Sequence, residues 1–164
     1  MRRVLVVHHD IDLADQEADS LRRLGYEVEQ CSGPAAYGCP VMRGEDCPAV
    51  ERADVLVYDV WSTTETDGTR RLIEGLREIH PTVPVVLTAP GMELDWVRTS
   101  GVHGVVPLVG VPTADRLALA IDEALASMGR GTAAANPEAA GAEAAVESPA
   151  AAESSTTAPG TTPG

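Results

Sequence analysis

Four polar side chains each follow an apolar run of the sequence: Asp59 after residues 53–58, His8 and His9 after residues 4–7, and Thr88 after residues 83–87. In an open α/β sheet, ligands bind in the crevice at the carboxyl ends of the parallel strands. Carboxylate, imidazole and hydroxyl groups can bind a cation or transfer a proton there. We therefore expect these side chains, with Asp10 one place beyond the histidines, to converge on one site.

Three cysteines form a second group with possible chemistry. Cys31, Cys39 and Cys47 are spaced eight residues apart in one segment, and the protein has no others. An odd number of cysteines without an export signal favours thiols or a metal over a disulfide framework. With a fourth ligand, three thiolates could bind zinc or an iron–sulfur cluster; two could form a reversible disulfide, or all could be structural.

The apolar runs that precede the polar side chains predict buried strands. Residues 4–7, 55–58 and 83–87 are continuous aliphatic runs, typical of parallel strands covered on both faces, so we expect them at the centre of a sheet. Residues 26–31 alternate between polar and apolar, and residues 104–108 contain a proline. These two segments are therefore expected to be edge strands.

Helix patterns separate the strands. Asp12 can cap a helix that Gly25 ends, Thr113 can cap another through Met128, and residues 69–79 and 92–99 supply two more. Strands that alternate with helices imply right-handed crossovers. The predicted fold class is α/β, with a doubly wound, parallel, five-stranded sheet in the order 2-1-3-4-5.

The composition divides the chain into one domain and a tail. Residues 1–128 carry the strand and helix patterns, and within them residues 32–52 form a cysteine-bearing loop in place of a regular second helix, with no helix expected before Pro48. Residues 129–164 are rich in Ala, Pro, Ser, Thr and Glu. This tail is expected to be disordered, because it has too little apolar surface to offset its ordering entropy.

The charge argues against several classes of partner. The formal charge is −13, with twelve arginines and no lysine, so neither nucleic acid nor an anionic membrane is an expected partner. No apolar run is long enough for a signal-peptide core or a membrane span, which predicts a cytoplasmic protein.

Five stretches between residues 2 and 128 follow one another at suitable spacing: residues 4–7 before a polar trio, 24–28, 53–60 with Asp67-Gly68 downstream, 80–89 and 101–109. In this order they resemble the receiver domains of two-component response regulators. The resemblance implies a flavodoxin-like fold and a role in phosphorelay signal transduction, with a histidine kinase or another signalling protein as partner.

The resemblance assigns roles by position. Asp59 matches the aspartate that accepts a phosphoryl group, and Thr88 matches the hydroxyl residue that turns toward the acyl phosphate. Four other positions differ from the family: His8 and His9 replace two Mg²⁺-binding acids, Leu108 a lysine, and Val105 the usual switching aromatic residue. Mg²⁺ prefers oxygen ligands, and phosphoryl transfer depends on neutralising charge with metal and cation. The resemblance therefore implies a degenerate receiver, or pseudo-receiver, without the usual Mg²⁺ site.

Several interpretations of these residues remain open. Asp59 is a phosphoacceptor, an inherited aspartate that no longer takes phosphate, or a residue that caps a loop or binds something else. Adjacent strand residues point to opposite faces, so only one of His8 and His9 is expected in the crevice unless the strand has already ended. A histidine there could pair with Asp59, bind a soft metal with Asp59 or Asp10, or respond to pH.

Two functions from different classes follow. The first is a stand-alone, degenerate receiver-like domain that is not an enzyme and acts through protein contacts, with a possible homodimer through the face of the fourth helix, fifth strand and fifth helix. The alternative is a metal- or redox-sensing module in which Cys31, Cys39 and Cys47 are the input and the receiver fold is the scaffold.

Overall fold

A computed structural model describes residues 1–34, 38–63, 67–90, 96–97 and 102–134. The strands are β1 Arg3–Val7, β2 Glu27–Cys31, β3 Val55–Asp59, β4 Val85–Ala89 and β5 Val105–Val109. The helices within these ranges are α1 Ile11–Arg23, α2 Pro48–Arg52, α3 Gly68–Ile79 and α4 Ala114–Ala134, with 3₁₀ turns at Val41–Arg43 and Val60–Ser62.

The five strands form one parallel sheet. Their order is β2-β1-β3-β4-β5, which confirms the predicted topology and both predicted edge strands. The register pairs Val7 with Tyr58, and Asp59 with Thr88. The carboxyl ends of β1, β3 and β4 therefore lie side by side, as the sequence pattern predicts.

The sheet separates two apolar layers, because successive side chains of a strand point to opposite faces. The α3 layer is the cluster that buries Leu5, Leu56, Tyr58 and Leu87 of the sheet against α2 and α3. The α1/α4 layer is the cluster that buries Val4, Val6, Val57 and Val86 against α1 and α4. Both faces of the central strands are covered, which explains their uninterrupted aliphatic sequences.

The start of α1 differs from the prediction. Asp10, not Asp12, is the N-cap, and its Oδ1 accepts hydrogen bonds from the backbone N–H groups of Asp12 and Leu13 at 3.0 and 3.1 Å. Asp12 lies in the first turn, where a negative charge favours the helix dipole. At the other end the chain turns at Gly25 with φ of +90°, as predicted.

The 32–52 segment retains a short helix at its end. The described part of this segment contains the 3₁₀ turn Val41–Arg43 and then α2, which begins at Pro48 with the proline in its first turn. Proline is accepted there because the first N–H groups of a helix have no intrahelical partner. The predicted replacement of a second helix is therefore only partial, since five helical residues remain.

The last helix is longer than predicted. α4 follows Thr113, whose carbonyl accepts the N–H of Leu117 at 2.9 Å, and it continues to Ala134. The helix therefore runs six residues past its predicted end at Met128, through Gly129 and Gly131 to Ala133 and Ala134, and the predicted boundary between domain and tail stays a prediction. Residues 135–164 lie outside the described residues, as does most of the helix predicted over residues 92–99.

No helix among the described residues combines the length and the apolar character that a membrane crossing requires.

Candidate functional site at the carboxyl ends of the strands

Asp59 is the last residue of β3 and has 2% of its surface exposed. It stands at the start of the following 3₁₀ turn, but its side chain makes no capping hydrogen bond there, so the loop-cap interpretation has no support. A carboxylate this deeply buried needs hydrogen-bond donors or a positive charge to offset its lost hydration. Two histidines provide them.

Both predicted histidines lie beside Asp59. β1 ends at Val7, so His8 and His9 are free of the alternation that a strand imposes. Nδ1 of His9 lies 3.0 Å from Asp59 Oδ2, and Nε2 of His8 lies 3.9 Å from the same oxygen. The imidazole rings stack, with centroids 5.2 Å apart and an angle of 15° between their planes.

The two histidines differ in environment. His8 is buried, and burial lowers its pKa, although the charge of Asp59 opposes this effect. The backbone N–H of Asp10 donates to Nδ1 of His8 at 3.0 Å, so the proton of a neutral His8 is on Nε2 and points toward Asp59. The side chain of His9 is 44% exposed, and its Nδ1–H donates to Asp59. Asp59 is therefore held by one buried neutral histidine and one that reaches solvent.

The residues do not fit Mg²⁺ in the manner of receiver domains. Mg²⁺ requires octahedral oxygen ligands, whereas Asp59 is joined here by two imidazoles. The nearby carboxylate of Asp10 is engaged as the N-cap of α1. The capping hydrogen bonds of Asp10 therefore compete with metal binding by the carboxylate that lies closest to the histidines in the sequence.

A metal that prefers nitrogen ligands would find enough ligand-type side chains here, but the proton of His8 lies on the wrong ring nitrogen for metal binding. Among the described residues, His8, His9 and Asp59 are the group of three ligand-type side chains whose donor atoms lie within 4.8 Å of one another. A histidine that binds a metal through Nε2 must carry its proton on Nδ1. In His8 that proton would point at the N–H of Asp10. The arrangement therefore fits a hydrogen-bonded carboxylate better than a metal centre.

The other predicted positions also have defined places. Thr88 pairs in register with Asp59 on one side and Leu108 on the other, but its hydroxyl donates a long hydrogen bond of 3.5 Å to the carbonyl of Tyr58. Leu108 is buried near the end of β5, and Val105 is the first residue of that strand. The position of the family's lysine is thus filled by an aliphatic side chain inside the α1/α4 layer.

Glu17 is a site residue that the sequence analysis missed. It lies on α1 with only 7% of its surface exposed, and burial and the negative charge of Asp59 raise its pKa to about 7. A signal was present: Glu17 stands three residues after Ala14 and four before Leu21, on the apolar stripe of α1. An acid on such a stripe is forced into the core side of its helix.

The three cysteine sulfur atoms do not all lie within 4.8 Å of one another. Cys31 is exposed at the end of β2, whereas Cys39 and Cys47 are partly buried against the α3 layer, and all three are free thiols. They do not form a three-ligand group of the kind seen around Asp59 in the described part of the chain. Although Cys31 is an exposed residue, partial desolvation of its sulfur raises the thiol pKa, which disfavours the thiolate that binds metals and reacts. The cysteine-sensor hypothesis thus gains no support from this geometry and stays a prediction.

The sequence matches no known family model and no curated protein. The fold has many solved counterparts. A response regulator receiver domain protein from Clostridium thermocellum is 18% identical, with a TM-score of 0.60 over 82% of this chain and 99% of that one. A CheY-like receiver protein from Methanospirillum hungatei JF-1 is 18% identical, with a TM-score of 0.58 over 80% and 98% of the two chains. A response regulator receiver protein from Sinorhizobium medicae WSM419 is 21% identical, with a TM-score of 0.59 over 77% of this chain and 96% of that one. The chain therefore has the receiver fold.

Proposed function

We propose that this chain is a degenerate receiver-like module of phosphorelay signal transduction, which acts through contacts with other proteins and not as an enzyme. The observation that carries the proposal is the contact between His9 Nδ1 and Asp59 Oδ2 at 3.0 Å. A histidine occupies the position where a receiver would hold a metal-binding acid, and the phosphoacceptor position is engaged by it.

The need to neutralise charge supports the loss of phosphoryl transfer. An incoming phosphoryl group adds negative charge beside Asp59, and metal and cation normally neutralise such charge in the transition state. Here the groups beside the Asp59 carboxylate are His8, whose pKa burial lowers, and the half-exposed His9. The chain itself contains no lysine.

The test is a restoration experiment. The native protein, incubated with acetyl phosphate and Mg²⁺, is expected to show no phosphoryl adduct by intact mass spectrometry. The triple variant His8→Asp, His9→Asp, Leu108→Lys returns two acids and a lysine to their positions in the family, so it is expected to gain a Mg²⁺-dependent adduct. Adding Asp59→Asn to this variant should abolish the adduct again.

Each outcome has a defined meaning. An adduct on the native protein that Asp59→Asn removes would make Asp59 an active phosphoacceptor and would contradict the degenerate assignment. A folded triple variant that takes no phosphate would contradict the receiver-like assignment of these positions. Circular dichroism of every variant separates this second result from misfolding.

The contact surface that we propose lies on β5 and α4. Val109 at the end of β5, Val111 beyond it and Leu119 on α4 are large aliphatic side chains exposed to solvent. A contiguous exposed apolar patch marks a surface that binds other proteins, and we propose that these three side chains belong to one. A second copy of the chain is the simplest occupant, and sedimentation analysis over a range of concentrations tests it. Association that Leu119→Asp weakens is expected, whereas a native protein that stays monomeric would contradict self-association.

A further inference from the structure

A cavity of about 380 Å³ lies between α1, the end of β4 and the loop from β5 to α4. His8 and Glu17 contribute polar walls to it, and Leu13, Pro90 and Val111 contribute apolar ones. Its size is within the range of pockets that bind small molecules. It lies on the α1 side of Asp59, next to the site described above and separate from the β5–α4 contact surface except for Val111.

The buried acid Glu17 has no counter-charge in this cavity. Its side chain lines the cavity, and it has no hydrogen-bond or ion-pair partner among the described residues. The residues that line the cavity include no arginine, and the chain has no lysine to supply. The Glu17 side chain is largely buried while its oxygens keep contact with the cavity, so a ligand that brings a positive charge there would gain a strong, charge-assisted interaction.

The donor set distinguishes an organic cation from a metal ion. Glu17 does not belong to the group of side chains whose donor atoms come close enough to share an ion. The rest of the wall combines an apolar part, which includes Leu13, Pro90 and Val111, with the uncharged polar side chains of Gln16, Ser20 and Thr113. One carboxylate beside an apolar part of the wall suits an ammonium group on a small apolar body.

We propose that this cavity is a binding site for a small primary amine, whose ammonium group pairs with Glu17 while its apolar body packs against Leu13, Pro90 and Val111. The hydroxyl of Thr113, which also lines the cavity, supplies a further acceptor for an ammonium proton. The site is independent of phosphorylation at Asp59, so it stands or falls separately from the proposed signalling role.

The experiment compares two probes of the same shape. Benzylamine carries the ammonium group, and benzyl alcohol replaces it with a neutral hydroxyl. Each is titrated into the full chain and followed by amide chemical shifts, at about pH 8, above the pKa of about 7 that burial and the charge of Asp59 give Glu17. Benzylamine is expected to give saturable shifts around Glu17, His8 and Val111, with affinity roughly tenfold or more above that of benzyl alcohol.

Three variants complete the test. Glu17→Gln keeps the side-chain shape and removes the charge, so benzylamine affinity should fall by about tenfold or more. Glu78→Gln removes one charge from an exposed position on α3, across the sheet, and should leave it unchanged. Val111→Trp should block both probes by filling the mouth of the cavity. Equal affinities for the two probes, unchanged affinity in Glu17→Gln, or no saturable shifts in the folded native protein would each overturn the proposal.

Discussion

Both histidines approach the same oxygen of Asp59, but only His9 comes within hydrogen-bonding distance. Removing the donor from a buried acceptor costs about 1–3 kcal/mol, because the acceptor keeps its desolvation penalty. We therefore expect His9→Ala to lower the free energy of unfolding by about that amount in urea denaturation.

The matched control for His9 is His103, an exposed histidine at the approach to β5. His103→Ala should change the stability by less than about 0.5 kcal/mol, as surface substitutions usually do. Equal effects of the two substitutions would show that the His9–Asp59 contact does not stabilise the fold.

The raised pKa of Glu17 predicts that the stability of the fold depends on pH. The direction is opposite to that for a salt-bridged acid, whose pKa is lowered. The pKa of Glu17 is raised in the folded state to about 7 from the ordinary glutamate value of 4.5, so the folded protein holds a proton that the unfolded chain releases. Stability should therefore fall as pH rises between these two values, by an amount on the order of 2–3 kcal/mol for this group.

Comparison with Glu17→Gln isolates this effect by urea denaturation across the same pH range. His8 also titrates there, but burial lowers its pKa, so its contribution is lost as pH falls and has the opposite sign. The difference in unfolding free energy between Glu17→Gln and the native protein should grow in favour of the variant as pH rises. A difference that stays constant with pH would contradict the raised pKa of Glu17.

At the scale of elements, α1 depends on a cap that the sequence pattern misplaced. Asp10 accepts two backbone N–H groups of the first turn, so Asp10→Ala should cost about 1 kcal/mol in the free energy of unfolding, while Asp10→Asn should retain most of the stability. Asp12→Ala should cost less, since Asp12 contributes only through the helix dipole. Thermal denaturation of the three variants ranks them, and a larger loss in Asp12→Ala would contradict the assignment.

The cap was misplaced for a physical reason. Asp10 and Asp12 are both good N-cap residues, and sequence alone does not show at which residue β1 ends. The strand ends at Val7, which frees His8, His9 and Asp10 to form a tight entry to α1. The same early end brings both histidines to Asp59, although strand alternation admits only one.

At the scale of the whole molecule, the parallel sheet was predictable because its central strands are buried on both faces and read as continuous aliphatic runs. The sheet topology made the approach of Asp59 and Thr88 predictable, whereas the approach of both histidines depends on the early end of β1. The cavity at Glu17 was not predictable in this way. It depends on how α1, the end of β4 and the β5–α4 loop pack together, which no local pattern encodes.

Arg77 connects three parts of the molecule. From α3, its guanidinium donates to the carbonyl of Val83 before β4 at 2.6 Å and to that of Gly104 before β5 at 3.2 Å. Arg77→Met keeps much of the side-chain volume but removes the donor to the Val83 carbonyl, whereas the Gly104 carbonyl still accepts the N–H of Val85 at 2.7 Å. It should therefore lower the free energy of unfolding by about 1–3 kcal/mol in urea denaturation.

Arg70→Met is the control for Arg77. Arg70 is on the same helix, but its guanidinium forms an exposed pair with Glu74, so its loss should cost less than about 0.5 kcal/mol. Similar losses in the two variants would mean that the contacts of Arg77 contribute no more than a surface ion pair.

The two apolar layers also differ in a way that spectroscopy can use. The chain has two tryptophans: Trp96 packs against the α3 layer, and Trp61 is half exposed in the turn after β3. Neither belongs to the α1/α4 layer.

Tryptophan emission therefore follows the opening of one side of the sheet, whereas far-ultraviolet circular dichroism follows helices on both sides. If α1 and α4 separate from the sheet first, ellipticity will decrease before the emission maximum moves, so the native chain reports the order in which its two layers open without any added label.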